Sequence, residues 1–278
     1  MSYYSASMYK SDIERIGFYQ RPFTIGEPIG NNAFSFDRRK QKEIHVPNMI
    51  EGQIASIECS DRIAFVEVDE QNIERMNFGL KNFVRQGDHF IFDNHNHCYY
   101  FYKLFLRMKQ KTSMGFVHID QHKDLREPKL QLSDLRIGSN MEQGLKELGI
   151  EKDLIEDLRE LWGEERFSEE AQNFLYTNRE LNVGNFIKPL LAENRISELA
   201  IIDSHYTMQN FSKETFAKEY VLDLDLDFFS KDLDYIDRSE RIDFVRDIAN
   251  SAQAVFIATS PYFIPFDDAK RALREIFG

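Results

Sequence analysis

The stretch that decides the fold is Phe116-Val117-His118-Ile119-Asp120-Gln121-His122-Lys123-Asp124. Its apolar start is typical of a buried β-strand, and it runs directly into potential metal ligands. Alternate side chains of a strand lie on one face, so Asp120, His122 and Asp124 can converge as the strand opens into a loop. The spacing predicts a metal site. The alternative is a turn with a capping Asp and a surface His.

A second stretch also carries potential metal ligands: Val221-Leu222-Asp223-Leu224-Asp225-Leu226-Asp227-Phe228-Phe229. Three carboxylates alternate with Leu at the period of a strand. Burying three like charges on one face is very costly without a partner, and a cation removes most of that cost. Carboxylates with imidazole suit Mn, Zn or Fe. The alternative is an exposed face of an edge strand, but the Leu residues and Phe228-Phe229 favour a buried one. We expect one of the three carboxylates to lie outside the metal site.

Composition limits the classes of function. The chain has 278 residues, which fits one large α/β domain or at most two small ones. Its net charge of −12, from 35 basic and 47 acidic residues, argues against a nucleic-acid surface. Two cysteines, Cys59 and Cys98, give no disulfide framework and suit a reducing cytoplasm. We expect no signal peptide and no membrane span. A homo-oligomer remains open.

The order of elements predicts a single catalytic domain. Residues 1–43 are expected to form a partly irregular arm, and 44–278 a three-layer α/β/α domain with a mostly parallel sheet. His89–Phe92 and 116–119 are predicted strands on either side of a helix over Cys98–Lys109, which is a βαβ unit. Residues 54–58 are a predicted short strand, and 70–85 a helix or loop. Further helices are expected over 140–176, 237–250 and 265–277, and further strands at 198–202, 216–226 and 254–259.

Polar clusters follow five predicted strands, at 93–97, 120–124, 203–205, 223–227 and 259–260. If these strands are parallel, the clusters share one edge of the sheet, where the ligands of such folds bind. In the first cluster we expect at least one of His95 and His97 to bind metal, and we prefer His97. For Asp203 and His205, a catalytic role and a structural hydrogen bond are both open.

The order His97, Asp120-x-His122-x-Asp124, Asp225-x-Asp227 resembles that of the arginase/agmatinase (ureohydrolase) family. The exact sequences of residues 93–97, 118–122 and 222–230 are more specific than this order of motifs. They are similar to those of a divergent branch that contains the peptide arginases, which convert arginine residues of a precursor peptide to ornithine. The similarity covers roughly residues 44–270, and its ligand motifs are more specific than its substrate motifs.

The resemblance implies an arginase/deacetylase-like fold and two Mn²⁺ ions per chain, with zinc and iron not excluded. It implies six ligands, namely His97, Asp120, His122, Asp124, Asp225 and Asp227. Asp223 would then be an additional buried carboxylate, although a register with Asp223 and Asp225 as the ligand pair stays open. Asp124 would also hold the attacking hydroxide by a hydrogen bond.

The sequence departs from the family at the substrate residues. Gly184-Asn185 resembles the Gly-Asn of the loop that holds the substrate in arginases, which makes Asn185 a candidate substrate-binding residue. The proton-shuttling His of classical arginases is replaced by Ile187, and either His205 takes over that role or the protein has no shuttle. The guanidinium-binding Glu is missing near Thr259-Ser260. Further candidates for binding the substrate are Asp203 and Asp267, with Asp268 as an alternative to the latter.

These observations predict a dimanganese hydrolase of a guanidino group. The expected activity is that of a peptide arginase, which releases urea from arginine residues of a precursor peptide and acts on C–N bonds of linear amidines. A peptide substrate needs an open cleft, and the arm and residues 125–140 are candidate rims. The alternatives are a zinc-dependent deacetylase-like hydrolase and a metal-stabilised binding domain without activity.

Overall fold

A computed structural model describes residues 13–26, 38–135 and 141–278. The described residues form an α/β fold with one seven-stranded sheet and two two-stranded sheets. The strands are β1 Phe23–Ile25, β2 Ile44–Val46, β3 Met49–Glu51, β4 Cys59–Val68, β5 Glu74–Leu80, β6 Phe83–Gln86, β7 His89–Phe92, β8 Met114–Ile119, β9 Ile196–Ile202, β10 Tyr220–Asp225 and β11 Val255–Ala258. The helices are α1 His97–Met108, α2 Met141–Glu147, α3 Lys152–Arg179, α4 Ile187–Ala192, α5 His205–Asn210, α6 Arg238–Ser251 and α7 Phe266–Phe277.

The seven-stranded sheet is mixed but mostly parallel, with the order β3-β6-β7-β11-β10-β8-β9. Its last five strands are parallel to one another, whereas β6 is antiparallel to β7. This arrangement is compatible with a three-layer α/β/α fold. The prediction that the five polar clusters follow parallel strands is confirmed, because β7, β8, β9, β10 and β11 are those strands. Their carboxyl ends meet at one edge.

The central strands form because they are apolar enough to be buried on both faces, as parallel strands usually are. Every residue of β8, β10 and β11 is buried. Helix α1 is buried over ten consecutive residues, from His97 to Leu106, which explains its aromatic composition. Helix α6 begins after Asp237, whose carboxylate accepts the N–H groups of Ser239 at 2.8 Å and Glu240 at 3.2 Å. No helix in the described ranges is long and apolar enough to cross a membrane.

Two local predictions are wrong. Residues 70–85, expected to be a helix or loop, contain β5 and β6. A turn starts β5: Asp69 Oδ1 accepts the N–H groups of Gln71 and Ile73, at 3.0 and 2.8 Å, and Asn72 has a φ of 60°. Residues 54–58 contain a short 3₁₀ helix, Ile54–Ser56, instead of a strand. The Gln86 side chain accepts the Ile54 N–H there at 2.9 Å, so that donor is satisfied without a neighbouring strand.

The described part of the expected arm packs on the core. Phe18 and Tyr19 are fully buried, and β1 pairs with β2 in an antiparallel ladder. Residues 1–12 and 27–37 of the arm, and 136–140 of the candidate rim, lie outside the described residues. The helical prediction over 140–176 corresponds to α2 and α3 from residue 141 onward. A positive φ of 74° at Gly163 interrupts the regular geometry of α3.

Candidate metal centre

The first group of potential ligands surrounds the Nδ1 atom of His95, in the turn between β7 and α1. This atom lies 3.2 Å from one carboxylate oxygen of each of Asp120, Asp124 and Asp225. It has no hydrogen-bond partner, although the side chain is fully buried. Divalent ions with bonds of about 2.1 Å hold neighbouring ligand atoms about 3 Å apart. The four side chains therefore have the spacing of ligands around one ion.

A second group adjoins the first and shares Asp120 with it. His122 Nδ1 lies 3.3 Å from Asp120 Oδ1 and 3.0 Å from Asp227 Oδ2. The other oxygen of Asp120, Oδ2, faces His95. Asp227 Oδ2 is buried and has no hydrogen-bond partner. Asp120 is thus shared by the two groups, with one carboxylate oxygen in each.

Asp223 belongs to neither of these two groups, but it contacts His95, a member of the first. It accepts from His95 Nε2 at 2.9 Å and from His118 Nδ1 at 2.7 Å, and all three side chains are fully buried. When His95 Nε2 carries the proton, its Nδ1 lone pair points at the carboxylates, as a metal ligand requires. This position fits the expectation that one carboxylate of the triplet lies outside the metal site.

His118 was not among the predicted ligands. Its Nε2 lies 3.4 Å from Asp120 Oδ2, and it can form a third potential group with Asp120 and Asp124. The signal was present in the sequence, because His118 precedes Asp120 by two positions and so shares its face of the strand. It was hidden by the apolar residues around it. Its partner became visible only with the sheet, in which His118 lies opposite Asp223 on neighbouring strands.

Electrostatics explain why this cluster favours a cation. Burial raises the pKa of Asp124, and the charge of Asp120 adds to that effect. Burial also raises the pKa of Asp227, with further contributions from Asp120 and Asp225. The close contacts of His122 with the carboxylates of Asp120 and Asp227 raise the pKa of its imidazole to about 11. When these buried carboxylates are ionised they repel one another. A divalent ion would relieve that repulsion in place of bound protons.

The preferred ligand His97 does not reach the cluster. It is the first residue of α1, and its Nδ1 is 2.8 Å from the Tyr19 hydroxyl. Its ring packs against Phe83 and Phe92 at 5.1 and 6.1 Å, and burial lowers its pKa to about 3. At least one of the two histidines was expected to bind metal and His97 was preferred, but the structure places His95 in the cluster instead of His97. The reason is where the helix begins: His97 is the first residue of α1, whereas His95 lies in the preceding turn.

Asp203 and His205 follow β9 at the same edge but have other partners. His205 Nε2 is 3.0 Å from Glu240 on α6, and this imidazole is more than a third exposed. Asp203 accepts from the Thr207 hydroxyl at 3.3 Å and lies 3.8 Å from the Lys123 ammonium. These contacts belong to the start of α5. They favour the structural alternative and do not support the predicted roles in catalysis and substrate binding.

Asn185 and Asp267 are also placed outside the two groups. The Asn185 side chain accepts the Asn182 N–H at 2.8 Å and so closes its own loop, although the neighbouring Gly184 lines the cleft described below. Asp267 is exposed in the first turn of α7 and does not line that cleft. A contact of Asp267 with substrate is therefore not supported.

A cleft of about 870 Å³ opens onto the cluster and is lined by Asp120, His122, Asp124 and Asp225. Three aromatic residues, Phe65, Tyr262 and Phe263, form part of its wall. Leu125 and Arg126, from the candidate rim 125–140, also line it. Its size is that of a site for a small molecule or a peptide segment.

The two ligand groups together contain four carboxylates and two imidazoles, and His95, His118 and Asp223 form a further buried group of potential ligands. Such oxygen and nitrogen donors fit Mn, Fe or Zn, and the shared carboxylate fits a pair of ions. Ser260 adds a short hydrogen bond of 2.5 Å from its hydroxyl to Asp225 Oδ2. Comparisons of the chain with protein-family models, with curated proteins and with solved structures found no match.

Proposed function

We propose that the protein is a dimetal hydrolase, with two manganese ions, that cleaves a guanidino group in the manner of the ureohydrolases. The observation that carries the proposal is the pair of ligand groups joined by Asp120. His95, Asp120, Asp124 and Asp225 would hold one ion, and Asp120, His122 and Asp227 the other. The guanidino substrate is proposed because the ligand motifs of this chain resemble those of the ureohydrolase family in their order.

A bound pair of ions would supply hydroxide near neutral pH, because divalent ions lower the pKa of coordinated water. Asp124 would accept a hydrogen bond from that nucleophile with the oxygen that does not bind the ion, and would pass the proton to the leaving amine. For an arginine side chain, the products would be urea and ornithine.

We further propose an arginine residue within a peptide as the substrate. The support is the volume of the cleft, about 870 Å³, and its lining by residues 125–126 as well as by the aromatic wall. A narrow funnel would admit free arginine but would exclude a peptide backbone. This support is weaker than that for the metal pair, so the two parts need separate measurements.

The test combines metal analysis with a urea assay. The protein, loaded with Mn²⁺, is incubated with an arginine-containing peptide, free arginine and agmatine, and urea and ornithine are measured. We expect two ions per chain and turnover of the peptide. The matched variant Asp124→Asn should retain the fold and lose at least 100-fold in turnover. Two bound ions with no urea from any of the three substrates would contradict the guanidino assignment.

A second candidate is a zinc-dependent deacetylase-like hydrolase. It is favoured by the two imidazoles of His95 and His118, which both contact Asp223 and could act near a single ion. This candidate predicts one zinc per chain and release of acetate from an acetylated amine. Metal counting separates it from the first. A third possibility, a metal-stabilised binding domain, predicts no turnover and no functional loss in Asp124→Asn.

A further inference from the structure

We propose that Glu67, assisted by Glu70, binds a second positive charge on the substrate, separate from the guanidino group that reacts. The identity of the reacting group rests on the proposed function. The inference about Glu67 rests on its own position in the cleft. Both acids line this cleft together with the metal-ligand cluster and the aromatic wall.

The main observation is the state of the Glu67 carboxylate. The side chain lines the cleft but is only 8 % exposed. One carboxylate oxygen, Oε1, accepts the Val68 N–H at 2.9 Å, whereas the other, Oε2, is buried without a hydrogen-bond partner. An unsatisfied buried oxygen on a charged group is costly. An ammonium or guanidinium group entering the cleft would satisfy it with a charge-assisted hydrogen bond.

The aromatic wall separates Glu67 from the metal ligands. Phe65 and Glu67 lie two positions apart on β4 and so share a face. The Phe65 ring stacks on Tyr262 at 5.3 Å, Tyr262 contacts Phe263 at 5.0 Å, and Phe263 contacts the His122 ring at 5.0 Å. Three successive ring contacts thus connect Phe65 to His122. A guanidino group held beside His122 would lie at one end of this row of rings, and Glu67, two positions from Phe65, lies at the other.

The positions of Glu67 and the metal ligands in different parts of the cleft suit a substrate that carries two separate positive charges. Consecutive peptide units advance by about 3.3–3.6 Å, so a neighbouring basic side chain can reach Glu67 while an arginine side chain extends to the metal ligands. The α-ammonium group of a free amino acid is the other source of the same chemistry. The basic residues Lys123 and Arg126 also line the cleft and would repel a cation. The charges thus direct the second cation toward Glu67 and Glu70.

Glu67 also has a structural role that any test must separate. The Arg39 guanidinium is buried, its Nη1 donates to the Val66 carbonyl at 2.9 Å, and burial lowers its pKa while the charges of Glu67 and Glu74 oppose that shift. If the only role of Glu67 were to stabilise the charge of Arg39, Glu67→Gln would lower the free energy of unfolding and would weaken the binding of all ligands equally. If it binds substrate, the variant would lose the preference for a second charge.

The experiment compares acetylated pentapeptides in which a central arginine is flanked either by lysines or by norleucines. Binding to the Mn-loaded protein is measured by calorimetry, and KM is measured wherever urea is released. For the wild-type protein we expect about tenfold tighter binding of the lysine peptide. Glu67→Gln should reduce that preference to less than twofold while binding of the norleucine peptide stays within twofold. Glu70→Gln, at an exposed position, should reduce it about threefold.

Asp61→Asn is the matched control, because it removes one acidic charge from an exposed side chain at the other end of β4. It should leave the preference unchanged. Comparing free arginine with Nα-acetylarginine tests the α-ammonium source in the same way. Equal wild-type binding within both ligand pairs would overturn the proposal, as would equal weakening of both peptides by Glu67→Gln. Because binding is read without turnover, an absence of urea would count only against the proposed function.

Discussion

Replacing Asp223 by Asn should weaken one of the two proposed metal sites and spare the other. The carboxylate accepts from His95 and His118, and only His95 belongs to the group formed with Asp120, Asp124 and Asp225. Asn has one oxygen and one NH₂ group in place of two oxygens, so it can accept from one imidazole but not from both. His95 then loses either its orientation or its fixed tautomer.

The size of the effect follows from these contacts. Loss of a partner that orients a ligating imidazole typically costs 10–100-fold in metal affinity. This corresponds to about 1.4–2.7 kcal/mol at one site. The metal-free protein should also lose about 1–3 kcal/mol of unfolding free energy, because one buried imidazole N–H is left without an acceptor. The site of His122 and Asp227, which Asp223 does not contact, should change by less than about threefold.

The assay is calorimetric titration of chelator-treated protein with Mn²⁺, read as two sites. Asp93→Asn is the control, since Asp93 is equally buried but accepts from the Leu80 N–H at 2.7 Å and belongs to neither ligand group. Its metal affinities should stay within about twofold of wild type. If Asp223→Asn leaves both affinities unchanged, or lowers both equally, then our view of Asp223 as a support for His95 alone is incorrect.

Three further predictions follow from the same structure. His95→Asn should lower metal content after dialysis to at most one ion per chain, whereas His97→Asn should retain both ions and lose about 1–3 kcal/mol of stability with its Tyr19 contact; the reverse result would restore His97 as the ligand. Gly79→Ala should destabilise the protein by about 1–3 kcal/mol in urea denaturation, because the added methyl would overlap Ala64 and Asp93, while Gly52→Ala, whose methyl would make only an ordinary van der Waals contact with Val84, should be near neutral. Mn²⁺ binding at pH 7.5 should release a proton from His122, whose pKa of about 11 exceeds its unfolded value of 6.5, and calorimetry in buffers of different ionisation enthalpy would detect this. The same raised pKa predicts that His122 stabilises the metal-free protein below pH 6.5 and that this stability is lost as the pH rises toward 11. An unfolding free energy that does not change over this pH range would contradict the prediction.

The sheet was predictable because its strands carry strong local signals. Apolar runs of four to seven residues end abruptly in Asp, His or Ser, and the chain alternates these runs with helical segments. Parallel pairing then follows from the connections, and it brings the polar ends together. The hairpin of β4 and β5 was less predictable. Its second strand exposes Met76 and Phe78 and contains Asn77, so its alternation does not distinguish buried from exposed faces.

The metal ligands were only partly predictable, because side-chain direction depends on where a helix begins. The sequence around His95 and His97 shows a polar turn followed by a helix, but it does not fix which residue starts the helical rotation. The structure begins α1 at His97, which turns that side chain toward Tyr19 and leaves His95 over the sheet edge. His205 differs for a similar reason, since α5 directs it to Glu240.

The crowding of five carboxylates at one sheet edge has a consequence for the life of the protein in a cell. Chains made while manganese is scarce should open more often at that edge, and proteases act on such open forms. Abundance should then follow the metal supply, with no change in transcription or translation. Starving cells of manganese during expression, and measuring the half-life of the chain beside that of a variant with fewer acids at the edge, would reveal this dependence.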